Sequence, residues 1–508
     1  MVTAICASPR VVFRADASVA IGSGHVVRCL ALAQSLRRLD WDVHFICRDH
    51  DGHLGEQITG LGFHLELLPR HIGQNTATSQ EAGLGTDWQV DAFETAACLD
   101  RLAPTWLVVD HYGLDRRWEE IQASRVCQIL VIDDLADRPH AAALLVDQNP
   151  QSRPDRYLHH VASDCRKLLG PRYALLRPQF EEAAARQPRR DGRVRRILAC
   201  VGGSDSKNVL PTLIEAWASL LSPRPALDVV VGDHSPNLEA LQRQCSVLHC
   251  CTLHIQTDRM AELMAGADLM MCAAGTLNWE RCCLSLPAVM IEIAPNQHEN
   301  LRLLARSRTG IDIGRAETLG QFPLKPLLRR LLERPSLLRL LGGRSQRLVD
   351  GRGASRVAAA MSSNHVRLRR ATQADAEIAW QWRNSETTRR YSTDPRSIPL
   401  PDHLSWWNRA VRAEDRSLLI AETYGSAVGV VRLDHERDRA ILSIYLDPSL
   451  TGLGLGVKVV DAARRWVKEN RVDVCQLLAV IDSRNSASQS AFASAGFTLS
   501  GNHWVREV

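Results

Sequence analysis

The feature that most restricts the fold of this chain is a regular alternation of short apolar runs with helix-length segments. A helix is predicted over residues 25–39, because Val26, Leu30 and Ala33 fall on one face. Such alternation predicts a parallel, doubly wound sheet. In the first part of the chain, the predicted strands lie at 11–13, 43–47, 106–110, 129–133 and 144–147.

The same alternation of predicted strands and helices begins again after a polar, basic linker at 186–196, which contains Pro188 and Gly192. The two halves do not align as a sequence repeat. We nevertheless expect two Rossmann-like units in tandem, with the cleft between them as the ligand site. The second set of predicted strands lies at 197–201, 227–231, 253–255, 267–272 and 288–293.

From Val366 onward, after an Arg-rich helical region and a short linker at 362–364, the pattern is that of an α+β domain. Two helices precede an antiparallel meander at 417–422, 427–434 and 440–446, and a glycine loop, a helix, a strand and a helix follow. The predicted fold class is α/β, with two Rossmann-like domains and then the α+β domain. The predicted domain boundaries are 10–190, 194–361 and 366–508.

Charge and cysteine spacing exclude several classes of protein. The net charge is only +5 over 508 residues, which does not indicate a nucleic-acid-binding protein. The 14 cysteines show no Cys-x-x-Cys spacing, so neither a zinc site nor a secreted disulfide framework is indicated. Without a signal-peptide pattern or a long apolar run, we expect a cytoplasmic protein with reduced thiols and no membrane association.

A turn with two glycines, Gly22 and Gly24, connects the first strand to the first helix and is followed by His25. Glycines let a ligand approach the backbone, and a helix N-terminus favours anions. The same end of the dipole disfavours an imidazolium, so we expect a neutral His25 that can act as a base. On these residues alone, a histidine that only caps the turn is an equal alternative.

The stretch RADAS…IGSGHVVRCLALA, within 14–33, resembles the opening of the UDP-sugar hydrolases of pseudaminic acid biosynthesis. Further motifs follow in the family's order: DHYG at 110–113, Asp133-Asp134, GGSD at 202–205, AAGT…E at 273–280 and NQ…N at 296–300. The resemblance covers roughly residues 10–345. It implies the two-domain GT-B architecture and release of UDP from UDP-2,4-diacetamido-2,4,6-trideoxy-β-L-altropyranose. Asp133-Asp134 could also do no more than cap a βα turn.

The resemblance also implies roles for individual residues. His25 matches the general base that activates the attacking water. Backbone N–H groups at 274–276 would meet the diphosphate, and Glu280 would bind the ribose hydroxyls, with a plain surface carboxylate as the less favoured alternative for Glu280. No metal-binding motif appears, so no metal ion is expected to neutralise the charge of the phosphates. The implied substrate-binding residues are Arg14, Asp16, Gly24, Tyr112 and Asn296, and the implied UDP-binding residues are Gly203, Ser204, Ala274, Gly275, Thr276, Glu280 and Gln297.

The C-terminal region, residues 366–508, resembles the GNAT acetyltransferases. The resemblance rests on the glycine loop TGLGLG at 451–456, on NSAS at 485–488 and on Gly496-Phe497. It implies acetyl-CoA as co-substrate, with the pyrophosphate held by the loop and the following helix N-terminus. The implied acetyl-CoA-binding residues are Leu446, Gly452, Leu453, Gly454, Leu455, Gly456, Asn485 and Ser488.

Two departures from the GNAT pattern matter. Thr451 stands where the family usually has Arg or Gln, and Phe492 stands where it usually has a catalytic Tyr, which leaves the general acid open. WRN at 382–384 and HLSWW at 403–407 resemble the subgroup with the pathway's 4-amino-sugar acetyltransferase. Acetylases of ribosomal-protein N-termini share these positions.

These observations predict a bifunctional enzyme that acetylates N4 of UDP-4-amino-4,6-dideoxy-β-L-AltNAc and then hydrolyses UDP from the product. The expected partners are this UDP-sugar and other enzymes of the pathway, without nucleic acid. One alternative is a GT-B glycosyltransferase with an accessory GNAT unit, which the lack of an apolar helix between residues 60 and 100 disfavours mildly. Another is a catalytically inactive UDP-sugar-binding regulator, which His25 argues against.

Overall fold

The computed structural model describes residues 8–71, 83–149, 153–188, 190–203, 205–362, 365–423 and 426–508, without the side chain of Asn296. The chain divides into two compact units. The larger unit ends at Ala354, and the smaller holds Ser355–Val508 together with Arg38–Asp40.

The first half of the larger unit is a parallel sheet with helices between its strands. Its elements are β1 (Arg10–Ala15), α1 (Gly24–Arg37), β2 (Asp42–Arg48), α2 (Gly55–Gly60), β3 (His64–Leu68), α3 (Trp88–Leu102), β4 (Trp106–Asp110), α4 (Arg116–Gln122), β5 (Gln128–Ile132), β6 (Leu144–Asp147), β7 (Arg166–Leu169) and α5 (Pro178–Arg186). Within the described residues, the strand order is β3-β2-β1-β4-β5-β6-β7. The order reverses between β1 and β4, and ligands of such sheets bind beyond the carboxyl ends of the strands at that point.

The second half of the larger unit repeats this architecture. Its elements are β8 (Arg196–Cys200), α6 (Leu210–Ala218), β9 (Ala226–Val231), α7 (Leu238–Ser246), β10 (Cys251–Ile255), α8 (Met260–Gly266), β11 (Leu269–Ala273), α9 (Leu277–Cys283), β12 (Ala288–Glu292), α10 (His298–Arg306), β13 (Gly310–Arg315), α11 (Leu324–Leu332) and α12 (Pro335–Leu348). The parallel strands lie in the order β10-β9-β8-β11-β12-β13. Successive residues of β8, such as Ile197 and Leu198, point to opposite faces of the sheet and belong to different apolar clusters, so both faces of the sheet are covered.

The smaller unit is built on a mainly antiparallel sheet. The elements from the end of the larger unit onward are α13 (Gly353–Ser362), β14 (Val366–Arg370), α14 (Ala376–Arg383), α15 (Glu386–Arg389), α16 (Leu400–Arg412), β15 (Arg416–Thr423), β16 (Ser426–Glu436), β17 (Arg439–Leu446), α17 (Leu455–Asn470), β18 (Gln476–Ala479), α18 (Ser486–Ser494), β19 (Thr498–Ser500) and β20 (His503–Glu507). The strand order is β14-β15-β16-β17-β18-β20-β19. β17 and β18 pair in parallel only near Arg439–Ile441, so the carboxyl end of β17 projects beyond this ladder toward the glycine loop.

The predicted fold class is confirmed: two parallel α/β sheets precede an α+β domain. The short strands β3, β7, β13, β14, β19 and β20 were not predicted, because their sequences lack a continuous apolar run. Among the residues that the structure describes, no helix combines the length and apolarity that a membrane crossing requires.

Candidate functional site

A histidine–aspartate pair lies where α1 begins beyond the carboxyl end of the first sheet. His25 is the second residue of α1 and is 7% exposed, and its Nδ1 lies 2.6 Å from Oδ1 of Asp110, the last residue of β4. Burial favours protonation of Asp110, but the charge of Arg28 and the hydrogen bonds from Arg28 and His25 hold its pKa well below the usual range. Because an ionised carboxylate only accepts, the proton lies on Nδ1 of His25, and Nε2 is the basic nitrogen.

Arg28 fixes this carboxylate from the next turn of α1. Its Nε and Nη2 each donate to Asp110 over 2.6 Å, one to each oxygen, and its Nη1 donates to Asp134 over 2.9 Å. No role was predicted for Arg28 from the sequence. The available signal was its position three residues after His25, which places both side chains on one helix face. Of the two acids that could cap a turn, Asp133 accepts from the backbone of Leu135 and Ala136.

Tyr112 and Gly24 border the base. The rings of Tyr112 and His25 meet edge to face, with centroids 4.6 Å apart and planes at 82°. Burial and the nearby carboxylate of Asp134 raise the pKa of Tyr112, so the phenol stays protonated. A Cβ at Gly24 would meet no atom within 4 Å, so the space beside His25 is open at this residue. The structure therefore brings together three of the residues that the sequence singled out.

Arg14 and Asp16 lie in a buried ion network at the same edge. Arg14 donates to Asp16 Oδ1 over 2.6 Å and to Asp91 Oδ2 over 2.5 Å, and all three side chains are fully buried. Arg48 also donates to Asp91, over 2.6 Å. The hydrogen bonds of Arg14 thus go to protein carboxylates, whereas Oδ2 of Asp16 has no hydrogen-bond partner. A substrate contact by either residue stays a prediction.

In the second half, the turn between β11 and α9 carries the predicted UDP-binding residues. The N–H of Ala274 donates to Ile291 O over 2.9 Å, so this group belongs to the sheet. A Cβ at Gly275 would lie 3.5 Å from Nε2 of Gln297, whose Oε1 accepts from the backbone of Ile293. Thr276 is the N-cap of α9. The side chain of Gln297 therefore lies over the strand-to-helix turn.

Glu280 has a carboxylate oxygen that is buried and unpaired. Its Oε1 accepts from Arg177 over 3.2 Å, whereas Oε2 has no partner in the described structure. Burial raises the pKa of Glu280, against the effect of Arg177. Its side chain is 14% exposed, which excludes the interpretation as a plain surface carboxylate. A donor such as a ribose hydroxyl would satisfy Oε2.

The remaining residues of the predicted UDP site are only partly described. Gly203 accepts from the N–H of Gly232 over 2.7 Å, and a Cβ at Gly203 would meet no atom within 4 Å. Ser204 and the side chain of Asn296 lie outside the described residues. The backbone of Asn296 is in a short 3₁₀ turn, Pro295–Gln297, which follows β12.

The glycine loop of the smaller unit has the backbone conformation that requires glycine. Gly452 and Gly454 have φ angles of 83° and 70°, and Gly454 is the N-cap of α17. A Cβ at Gly456 would lie 3.4 Å from Cβ of Ala491, so α17 approaches α18 closely. Leu453 and Leu455 are fully buried and anchor the loop. Leu446 ends β17, and a short 3₁₀ turn, Pro448–Leu450, connects this strand to the loop.

Asn485 and Phe492 belong to α18. Asn485 is its N-cap, and its Oδ1 accepts from the N–H of Ser488 over 3.1 Å. Phe492 is 3% exposed and packs edge to face on Phe497, with ring centroids 5.0 Å apart. Phe492 is therefore part of the packing between α18 and the following loop, and the general acid stays unassigned.

One group of side chains in the described residues could hold a metal ion. One ligand atom each from Asp42, His44 and His64 lies within 4.8 Å of the others. These residues are at the amino ends of β2 and β3, opposite the edge that carries His25. Asp42 is already paired with Arg10 over 2.6 Å, which competes with a cation. The expectation of no metal stays a prediction.

Comparison with known proteins agrees with the division of the chain into a larger N-terminal and a smaller C-terminal unit. Residues 365–498 match the family model described as "Acetyltransferase (GNAT) domain". The smaller unit carries a GNAT domain. The N-terminal part is similar to the UDP-2,4-diacetamido-2,4,6-trideoxy-beta-L-altropyranose hydrolase of Campylobacter jejuni. The two are 27% identical over 300 residues, which cover 58% of this chain and 96% of that protein.

Two further similarities extend over more of the chain. An uncharacterised protein of Methanocaldococcus jannaschii is 22% identical over 97% of this chain and 98% of its own length. The crystal structure of MurG from Acinetobacter baumannii has a TM-score of 0.49 and 16% identity, covering 70% of this chain and 99% of that one. With the hydrolase relative and the GNAT domain, the chain is an enzyme, and the suspected fusion is confirmed.

Proposed function

We propose that the chain carries out two consecutive steps on a UDP-linked amino sugar. The GNAT domain acetylates N4 of UDP-4-amino-4,6-dideoxy-β-L-AltNAc, and the larger unit hydrolyses the UDP-2,4-diacetamido-2,4,6-trideoxy-β-L-altropyranose that results. The observation that carries the hydrolytic step is the His25–Asp110 hydrogen bond of 2.6 Å, because it leaves Nε2 of His25 as a base at the carboxyl edge of the sheet.

In the hydrolytic step, Nε2 of His25 takes a proton from water. The water oxygen bonds to the anomeric carbon, the bond from that carbon to the diphosphate oxygen breaks, and UDP leaves with the electron pair. Asp110 holds the imidazole and stabilises the imidazolium, and Arg28 holds Asp110. Tyr112, Gly24, Asp16, Arg14 and Asn296 are the proposed surroundings of the sugar.

UDP is held in the second half. The unpaired Oε2 of Glu280 supports a contact with a ribose hydroxyl. The turn at Gly275 and Thr276, covered by Gln297, supports a diphosphate site at the N-terminus of α9. Helix α5 contacts both α1, which begins next to His25, and α9, which carries Glu280, so it connects the two parts of the proposed site.

In the acetyltransferase step, the free amine of the sugar attacks the thioester carbon of acetyl-CoA. The carbon–sulfur bond breaks, coenzyme A leaves as the thiolate, and the amine loses its proton to solvent. The left-handed glycines Gly452 and Gly454 and the N-terminus of α17 support a pyrophosphate site there. Asn485 and Ser488 are the proposed contacts from α18.

We place both reactions in the cytoplasm, with other enzymes of the same pathway as partners. The described cysteines are free thiols, and most of them are buried. Free thiols are typical of a reducing compartment.

The first test is His25→Ala in the full-length chain, with free UDP measured from the diacetamido sugar. Loss of a positioned base costs about 10²- to 10⁴-fold in rate. Acetyl transfer, which uses another domain, should be unchanged in the same preparation. His64→Ala, at the amino end of β3, is the matched control and should release UDP at the wild-type rate. UDP release by His25→Ala near the wild-type rate would refute the hydrolytic mechanism.

A further inference from the structure

A cluster of three polar side chains lies beside the His25–Asp110 pair, and the proposed function assigns a role only to its Asp16, as part of the surroundings of the sugar. Asp16, His50 and His111 follow β1, β2 and β4, so all three meet at the carboxyl edge of the sheet. The ring of His111 stacks near that of His25, with centroids 6.4 Å apart. The cluster is therefore next to the proposed base.

One oxygen of Asp16 performs a structural task and the other does not. Oδ1 accepts from Arg14 over 2.6 Å and from the backbone N–H of Arg48 over 2.7 Å. Oδ2 is buried without a partner, and so is Nε2 of His50. Burial alone would raise the pKa of Asp16, but Arg14 holds it well below the usual range, so Oδ2 belongs to a carboxylate. A buried carboxylate oxygen without a donor is costly and implies a missing partner.

The two imidazoles surround this oxygen at distances too long for direct hydrogen bonds. Nε2 of His50 lies 3.9 Å and Nε2 of His111 lies 3.6 Å from Oδ2 of Asp16. Nδ1 of His111 accepts from the N–H of Gly113 over 2.9 Å, so Nε2 of His111 carries the ring proton. Its hydrogen bond to the carbonyl of Gly83 is long, at 3.4 Å.

The position of His50 depends on a glycine. A Cβ at Gly85, which has φ of 73°, would lie 2.5 Å from Cε1 of His50. The His50 side chain is 14% exposed and lies beside the fully buried side chain of Asp16, so a ligand that reaches Oδ2 must displace neighbouring side chains. Burial lowers the pKa values of both His50 and His111, and both rings are neutral near pH 7.

The chemistry of the cluster selects its ligand. Oδ2 of Asp16 requires a donor, and the N–H of His111, whose hydrogen bond to the carbonyl of Gly83 is long at 3.4 Å, can donate to a closer acceptor. An ammonium offers no acceptor and would approach Arg14, whereas a carboxylate would meet Asp16 with the same charge. A secondary amide offers an N–H and a carbonyl oxygen on one planar group, and it satisfies both requirements.

We propose that Asp16, His50 and His111 form the subsite for an acetamido group of the sugar. The amide N–H donates to Oδ2 of Asp16, and the amide oxygen accepts from His111 and His50. This inference rests on the proposed function and deepens it, since it assigns a part of the substrate to side chains beside His25.

The experiment compares His50→Leu, which removes both ring nitrogens, with His50→Gln, which keeps an amide N–H near the position of Nε2. His64→Leu is the control on the same sheet. Because a lost hydrogen bond of this kind changes affinity by roughly tenfold, His50→Leu should raise KM for UDP release about tenfold with little change in kcat. His50→Gln should recover most of this loss. Acetyl transfer should be unaffected.

A binding measurement separates the subsite from the reaction. In the His25→Ala background the sugar nucleotide is consumed about 10²- to 10⁴-fold more slowly, and calorimetry gives Kd for the diacetamido sugar nucleotide and for UDP alone. His50→Leu should weaken binding of the sugar nucleotide about tenfold and leave UDP binding unchanged. The difference should vanish with an analogue whose contacted acetamido group is replaced by hydrogen. An analogue with a hydroxyl group there tests whether an alcohol substitutes for the amide.

The outcomes distinguish the two claims. If the wild-type chain releases UDP and His50→Leu has unchanged KM and Kd, the subsite is refuted and the proposed function stands. If the wild-type chain releases no UDP but His50→Leu weakens binding of the sugar nucleotide selectively, the reaction is refuted and the subsite stands. Equal weakening of UDP and sugar nucleotide would also refute the subsite, because it would indicate a general structural defect.

Discussion

Asp110→Asn removes one charge from the centre of the proposed hydrolytic site without changing its shape. Asp110 accepts three hydrogen bonds of 2.6 Å, one from His25 and two from Arg28. An asparagine side chain has one oxygen and one NH₂ group, so in either orientation an N–H faces an N–H of a neighbour. If the NH₂ group faces His25, Nδ1 becomes an acceptor, and the ring proton moves to Nε2, where it blocks proton uptake from water.

The expected loss of UDP release is therefore that of a misplaced general base, about 10²- to 10⁴-fold in kcat. At 1.36 kcal/mol for each factor of ten, this is about 3–5 kcal/mol of transition-state stabilisation. Stability should also fall by up to about 3–5 kcal/mol, since Arg28 loses the fully buried one of its two ionic partners and keeps only Asp134. The two effects must be measured separately.

Asp147→Asn is the matched control, because Asp147 is also fully buried, at the end of β6, and accepts from Arg156 and Tyr157. It should lower the free energy of unfolding, measured in urea, without changing the kcat of the folded protein. Acetyl transfer by the same chain provides an internal standard for active protein. A folded Asp110→Asn protein that releases UDP at the wild-type rate would refute the reasoning on the His25 tautomer.

Three further predictions concern the glycine loop, Glu280 and the charge of Asp110. Gly454→Val should raise Kd for acetyl-CoA at least about tenfold, because the valine side chain strains a left-handed residue and blocks the phosphate. Gly501→Val, at another left-handed glycine with open surroundings, is the control in the same calorimetric measurement. Equal affinities of Gly454→Val and the wild type for acetyl-CoA would contradict the loop assignment. Glu280→Ala should weaken UDP binding by roughly tenfold or more, whereas the exposed Glu262→Ala should not. Unfolding free energy should fall as pH drops below about 4, because the folded pKa of Asp110 is held below its unfolded value: the stabilisation is complete above the unfolded value and is lost as pH falls toward the folded one. A rise in stability upon acidification would contradict this assignment.

The sequence predicted the central strands well, for a physical reason. Strands buried on both faces, such as Trp106–Asp110 and Leu144–Asp147, are continuous apolar runs, and they were placed at their observed bounds. The strands His64–Leu68 and Gly310–Arg315 lie at the edges of their sheets and contain polar residues, so they gave no comparable signal.

The candidate site was predictable where one local segment carries it. The glycine turn and His25 are within one such segment, and so are the glycines of the acetyl-CoA loop. The partner of Arg28 was not predictable, since Asp110 is 82 residues away and reaches it only because β1 and β4 are neighbours. His50 was missed for the same reason, because only the strand order brings it to Asp16.

The most direct test of the account is the order of the two reactions in the full-length chain. With UDP-4-amino-4,6-dideoxy-β-L-AltNAc alone, little UDP should be released. An amine has no carbonyl oxygen, so the hydrogen-bond donors of an amide subsite would stay unpaired. With acetyl-CoA added, UDP should appear after a lag that follows acetylation, and the lag should disappear when the diacetamido sugar is supplied directly. Equal rates of UDP release from the amino and the diacetamido sugar, without acetyl-CoA, would contradict the proposal that the two domains act in sequence.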